Sequence, residues 1–154
     1  MVIYFSWSGN TKAYAEALAK NKGMAIFQLI EKAERKSISK MSFFKACMQG
    51  IMKSKIEITL MPDIKNFDEI YICTPVWASG AAPAVRYFLN KAQLKNKKIN
   101  FIFTYGSTEP DVLKKNTLEL IKDKGCIIGN MYAFKTKFKQ QPDYKTIEDN
   151  IHNL

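Results

Sequence analysis

Two spacings of apolar residues alternate along the chain, and they predict strands and helices in turn. Runs that are apolar at nearly every position indicate buried strands, and they fall at residues 2–5, 24–30, 69–74, 98–104 and 126–134. Apolar positions at helical spacing, or alanine-rich stretches, indicate helices between those runs, at residues 12–20, 41–53, 82–91, 111–124 and 144–151. Gly23 stands where the first helix should end.

Strands that alternate with helices, and that are apolar on both faces, are typical of a parallel sheet with helices packed on each side. The sequence therefore predicts an α/β fold. Its 154 residues, 47% apolar and 25% charged, suit a single domain spanning residues 1–154. In the helix at residues 111–124, we expect Leu113, Leu118 and Ile121 to face the sheet.

The composition argues against several classes of protein. Two prolines and a glycine interrupt the longest uncharged run, residues 70–85, so we expect no membrane span. No basic segment of the kind that opens a secretory leader stands at the start, and three widely spaced cysteines fit a reducing compartment. We therefore expect a cytoplasmic protein. With one histidine, His152, and no paired cysteines, we expect no metal site.

The chain is strongly basic, with 24 lysine and arginine residues against 14 aspartate and glutamate residues and a net charge of +10. Such a charge favours acidic partners, anionic ligands or nucleic acid. Lysines rather than arginines carry it, and they are spread along the chain, so we interpret it as a solvated surface and expect neither nucleic-acid nor membrane binding. Residues 134–139 alternate aromatic and basic side chains, which single-strand binders can do but which is more often a strand with one solvated face.

Candidate chemistry lies just after the strands, because ligands of an open parallel sheet bind beyond the carboxyl ends of its strands. After the first strand, residues 6–11 are rich in small hydroxyl and amide side chains and lead directly into a helix. Amides at a helix N-terminus attract anions, and Gly9 permits a close approach of the backbone. The segment predicts a phosphate cradle, although the same residues could form only a turn and a helix cap.

The loops after the third and fourth strands carry aromatic residues. Trp77 lies between a proline and a glycine, and Tyr105 precedes Gly106. The indole of Trp77 could stack on a planar ring, or it could pack onto the following helix. With the phosphate cradle, these loops predict a pocket for a phosphorylated, planar heteroaromatic ligand. A receiver domain of the same topology would need acidic residues where this chain has Ser6, Trp7 and Thr74.

Two segments of the sequence resemble the flavodoxins and flavodoxin-like FMN proteins. Residues 2–12, VIYFSWSGNTK, are similar to the family's phosphate loop, [ST]-x-[ST]-G-x-T after the first strand. Residues 67–77, FDEIYICTPVW, are similar to its third strand and the T-P-x-W segment beside the flavin. Residues 83–89, PAVRYFL, are similar to the helix that follows. In element order, the likeness covers the whole chain.

This resemblance implies a flavodoxin-like three-layer α/β/α sandwich with a five-stranded parallel sheet of order 2-1-3-4-5. It also implies FMN as a non-covalent cofactor whose ring supplies the redox chemistry. The implied phosphate contacts are Ser6, Trp7, Ser8, Gly9, Asn10 and Thr11. One side of the ring would be lined by Thr74, Pro75, Val76, Trp77, Ala78, Ser79 and Gly80, and the other by Thr104, Tyr105, Gly106 and Ser107.

From the resemblance we expect an FMN-binding electron-transfer protein with no catalytic residue of its own. Its partners would be redox proteins, a reductase that donates electrons and an enzyme that accepts them. The alternative is an NAD(P)H-dependent FMN or quinone reductase on the same fold, because basic charge would help to hold a dinucleotide. Typical flavodoxins are acidic, and this chain is not, so we expect a milder flavin potential. The protein would be a monomer or a homodimer.

Overall fold

A computed structural model describes residues 1–32, 56–107, 110–137, 140 and 143–154. Among these residues, the sheet has six strands, of which all but one short strand run parallel in the order β2-β1-β3-β5-β6. These strands are β1 (Val2–Tyr4), β2 (Ile26–Gln28), β3 (Glu69–Trp77), β5 (Lys98–Tyr105) and β6 (Ile127–Lys135). The short strand β4 (Gly80–Ala81) pairs antiparallel with β3. Without β4, the order is the predicted 2-1-3-4-5, which is confirmed.

Helices cover both faces of the sheet and complete the three-layer α/β/α sandwich. They are α1 (Asn10–Lys22), α2 (Pro83–Lys91), α3 (Pro110–Ile121) and α4 (Tyr144–His152). Helices α1 and α4 pack on one face, and α2 and α3 pack on the other. The predicted helix at residues 41–53 lies outside the described residues. No described helix has both the length and the apolar character that a membrane crossing would need.

Successive strand residues contribute to opposite cores, as the pleat of a strand requires. Ile72 of β3 and Phe101 of β5 lie in the core beneath α2 and α3. Their neighbours Cys73 and Ile102 lie in the core beneath α1 and α4. The middle strands contribute side chains to both cores, and this explains why they are apolar at nearly every position.

Several predicted boundaries shift in the structure. Helix α1 begins at Asn10, so the last two residues of the predicted phosphate loop form its first turn. Strand β3 continues to Trp77, past the predicted end at Thr74. The expectation that Leu118 faces the sheet is wrong: its side chain is 38% exposed, and Thr117 is buried in its place. Thr117 lies four residues after Leu113, which keeps it on the same helical face.

A buried asparagine fixes an irregularity between the last two strands. Asn100 donates from Nδ2 to Glu69 and accepts the amide of Asn130, at 2.9 Å in each case. The β5–β6 register shifts between Ile99 and Phe101. A Cβ added at Gly129 would collide with the amide oxygen of Asn100 and lie 2.8 Å from its Cγ. Only glycine therefore fits at this point of β6.

Candidate cofactor-binding site

The three predicted loops meet at the carboxyl edge of the sheet and enclose a cavity of about 90 Å³. Helix α1 starts directly behind β1, while β1 and β5 flank β3 on either side. The chain therefore returns to one edge after each of these strands. The residues that line the cavity are Trp7, Ser8, Asn10, Pro75, Val76, Trp77, Thr104, Tyr105, Gly106 and Thr136.

The first loop presents an open helix N-terminus to this edge. Gly9 precedes α1 with a left-handed backbone (φ 94°), and it supplies no side-chain cap. Its amide donates instead to the Ser6 hydroxyl at 3.2 Å. No acidic residue stands in the first turn of α1. The first amides of a helix have no partner within the helix, so this uncapped turn can receive an anion.

Two residues of that first turn are anchored to neighbouring elements. Asn10 is 7% exposed and donates from Nδ2 to the Lys137 carbonyl at 3.2 Å. The hydroxyls of Thr11 and Thr104 lie 2.7 Å apart in the buried interior. Asn10 and Thr104 still line the cavity, whereas Thr11 does not. The structure therefore places the hydroxyl of Thr11 in a supporting contact.

Trp77 is mainly a core residue, and its ring contacts lie at the first loop rather than on the following helix, where the packing interpretation placed them. Its side chain is 4% exposed. Its ring meets Phe5 and Trp7 edge to face, with centroids 5.6 Å apart in both pairs. Trp7, which the resemblance implies as a phosphate contact, is half-buried, and it lines the cavity. The more accessible indole at this edge therefore belongs to Trp7.

Strands β3 and β4 form a hairpin where the sequence predicted a loop at residues 75–80. Trp77 pairs with Gly80, so Ala78 and Ser79 form the two-residue turn, and both have left-handed backbones (φ 49° and 60°). These two residues and Gly80 lie outside the cavity lining.

Thr74 is another predicted site residue with a structural role. It is fully buried, and its hydroxyl accepts the amide of Ala82 and donates to the carbonyl of Pro75, at 3.0 Å in each case. These bonds tie the base of the hairpin together. The Thr74 hydroxyl therefore does not reach the cavity.

The third loop contributes Tyr105 and Gly106 to the cavity, while Ser107 lies outside its lining. Thr136, which the sequence analysis did not select, lines the cavity as well, and its amide donates to the carbonyl of Tyr105 at 2.7 Å. The sequence does contain a signal that could have identified Thr136 as a site residue, because it follows the carboxyl end of another parallel strand, β6. The alternation of aromatic and basic side chains at residues 134–139 predicts only a strand with one solvated face.

A second cavity of about 160 Å³ adjoins the first, and Asn10 and Thr136 line both. Lys135 and Lys137 line this second cavity. Asp143 lines it as well, so the two lysines outnumber one acidic residue and leave a net positive charge close to the uncapped start of α1. In the described part of the chain, no group of three histidine, cysteine, aspartate or glutamate residues could hold a metal ion.

The thiol of Cys73 has no part in the site. Burial raises its pKa, which keeps the thiol protonated and unreactive.

Comparison with known proteins gives structural matches alone. No protein-family model matches the chain, and no curated protein sequence matches it. Among solved structures, a provisionally assigned flavoprotein from Bacteroides uniformis superposes with a TM-score of 0.78 at 18% identity, over 99% of this chain and 96% of that one. The chain has the flavodoxin-like fold.

Two further structures share this flavodoxin-like fold. A flavoprotein from Lactobacillus acidophilus, solved in complex with FMN, superposes with a TM-score of 0.65 at 21% identity, over 86% of this chain and 90% of that one. A flavodoxin from the domain Archaea superposes with a TM-score of 0.58 at 15% identity, over 99% of this chain and 92% of that one.

Proposed function

We propose that the protein binds FMN non-covalently at the carboxyl edge of its sheet and carries electrons between partner proteins. The proposal rests mainly on one observation: in the cavity of about 90 Å³, the uncapped start of α1 lies together with aromatic residues from the carboxyl ends of β3 and β5. The FMN complex among the structures of the same fold supports the choice of ligand.

The residues present suit both halves of a phosphorylated flavin. The first-turn amides of α1, with Ser8 and Asn10, would hold the phosphate. The rings of Trp7 and Tyr105 would flank the isoalloxazine. No carboxylate stands among the lining residues that the structure describes, so none of those side chains repels a phosphate. When bound, FMN supplies the capacity to accept and release electrons.

The cavity lining favours a carrier over an enzyme. Among the described residues, it contains no carboxylate, histidine, cysteine or lysine, and Tyr105 is the one ionisable side chain. The lining therefore offers few groups for acid–base catalysis, which usually relies on histidine or a carboxylate. Its residues would bind the flavin, orient its ring and exclude water from one side of it. Those tasks are sufficient for electron transfer.

FMN titration of the purified protein tests the proposal. We expect the protein to retain flavin absorption after gel filtration and to bind FMN at least about tenfold more tightly than riboflavin, because only FMN can use the phosphate cradle. Ser8→Asp should weaken FMN binding and leave riboflavin binding nearly unchanged. Ser8→Asn, which has the same shape without the charge, is the matched control. A protein that retains no added FMN would refute the proposal.

The reductase alternative requires a separate assay. An electron carrier should oxidise NADH or NADPH slowly unless a reductase is added. Rapid oxidation of either nucleotide by the FMN-loaded protein alone, with a quinone or free FMN as acceptor, would contradict the carrier proposal. The protein would then be assigned as an NAD(P)H-dependent reductase. Adding a flavodoxin reductase to the same assay gives the positive control for the carrier.

A further inference from the structure

The turn between β3 and β4 holds two consecutive residues in an unfavourable backbone conformation. Among the described residues, Ala78, Ser79 and Asn96 are the non-glycine residues with positive φ. A left-handed backbone brings Cβ close to the neighbouring carbonyl, and alanine has no polar side chain to compensate. Such strain persists only where the surrounding structure enforces it.

Asn116 of α3 supplies an enforcing contact. Its Nδ2 donates to the carbonyl of Ser79 at 2.8 Å. The arm of the hairpin that leads to this turn, Pro75 to Trp77, forms one wall of the candidate cavity. Helix α3 follows Tyr105 and Gly106, which form the opposite wall. The β3–β5 ladder fixes the two walls as far as Pro75 and Thr104, and the Asn116 side chain ties the turn that lies beyond this last pair to α3.

We infer that Asn116 is a positioning residue for the candidate site, because it clamps the strained turn at residues 78–79 to α3 and so holds the hairpin arm at Val76 and Trp77, beyond the β3–β5 ladder, in place at the cavity. The inference rests on the proposed function. Without this hydrogen bond, the turn would relax toward an unstrained conformation, and the arm that carries Val76 and Trp77 would move with it. FMN would then meet a wall that is no longer preorganised.

The variant Asn116→Ala tests this role without weakening the helix, since alanine is the better helix former. We expect the dissociation constant for FMN to rise about three- to tenfold, the loss of one hydrogen bond. Lys115→Ala, an exposed substitution on the same helix, is the control and should leave FMN binding unchanged. Equal FMN affinity in Asn116→Ala and the wild type would overturn the inference.

Relief of the strain should rescue the variant. Glycine adopts the left-handed backbone at no steric cost, so Ser79→Gly should restore most of the FMN affinity in the Asn116→Ala background. A merely structural contribution of Asn116 to α3 would not respond to a change at position 79. A double variant that binds FMN no better than Asn116→Ala would therefore contradict the clamp.

Hydrogen exchange on the flavin-free protein separates this inference from the proposed function. We expect the amide of Gly80, which pairs with Trp77, and the amide of Ala82, which donates to the Thr74 hydroxyl, to exchange faster in Asn116→Ala than in the wild type, while Lys115→Ala matches the wild type. Faster exchange in a protein that never retains FMN would support the clamp and refute the cofactor. Unchanged exchange would refute the clamp whatever the flavin result.

Discussion

Thr11 and Thr104 form a buried hydrogen bond next to the candidate site. Their hydroxyls lie 2.7 Å apart, and the two residues are 2% and 3% exposed. The bond joins the first turn of α1 to the end of β5, two of the elements that surround the cavity. Its partners are 93 positions apart in the sequence. A long-range polar contact of this kind fixes the relative position of the loops.

We expect Thr11→Val to destabilise the protein by about 1–3 kcal/mol, because the Thr104 hydroxyl would remain buried without its partner. The free energy of unfolding in urea measures this loss. The double variant Thr11→Val/Thr104→Val should recover much of it, since two apolar groups of the same shape leave no unsatisfied hydroxyl. Additive losses in the two single variants would show that the hydroxyls do not interact.

Trp77 shows what residue-level reasoning could and could not predict. The sequence located the tryptophan correctly at the edge of the sheet but left open whether it stacks on a ligand or packs. The decision depends on Phe5 and Trp7, whose rings meet its own, and on the extension of β3 to residue 77. Contacts between loops from distant parts of the chain are not encoded in any local pattern.

Among the elements, the parallel strands were the most predictable, because both of their faces are buried and their apolar runs are continuous. The β3–β4 hairpin was not predicted. Two-residue turns of this type usually contain asparagine or glycine at both central positions, and this chain has Ala78 and Ser79 there. The turn depends instead on a tertiary contact from Asn116, which sequence patterns cannot reveal.

An ion pair joins the amino ends of β3 and β5. Glu69 lies opposite Lys98 in the strand register, and Lys98 Nζ approaches Oε1 of Glu69 to 2.9 Å. The hydrogen bond from Lys98, with a further one from Asn100, lowers the pKa of the Glu69 carboxyl below its ordinary value. A carboxyl with a lowered pKa stabilises the fold above its unfolded-state pKa, and this contribution disappears as the pH falls.

We therefore expect Glu69→Gln to flatten the pH dependence of stability. The wild type should lose stability as the pH falls below the ordinary glutamate pKa of about 4.3, and the variant should lose less over the same range. Urea unfolding at several pH values measures the difference. Glu119→Gln removes the exposed pair with Lys122 on α3 and should change the curve less. Parallel curves for the wild type and Glu69→Gln would contradict the assignment.

Across the whole molecule, the chain has a net charge of +10, and the described residues that line the candidate site include no carboxylate. Lys135 and Lys137 stand beside that site. A field of this sign accelerates the approach of anions and of acidic protein surfaces. It also favours the added negative charge of a reduced flavin, which supports the expectation of a milder potential. For the proposed carrier, we therefore expect an acidic redox partner rather than a basic one.

The salt dependence of electron transfer tests this electrostatic argument. We expect the FMN-loaded, reduced protein to react with ferricyanide, an anion, more slowly as ionic strength rises, because salt screens the attraction beyond about 10 Å at 0.1 M. A cationic oxidant such as hexaamminecobalt(III) should show the opposite trend. Stopped-flow bleaching or recovery of the flavin absorbance measures both rates.

Two charge reversals distinguish local from distant lysines. Lys137→Glu changes a residue beside the candidate site, whereas Lys95→Glu changes one that precedes β5 at the opposite edge of the sheet. The length of β5, 8 residues or roughly 26 Å, separates the two edges, and this exceeds the screening length at 0.1 M salt. Lys137→Glu should therefore reduce the salt dependence of the ferricyanide reaction, and Lys95→Glu should barely alter it. Equal effects of the two reversals would show that net charge alone, rather than its placement around the site, controls the approach of the partner.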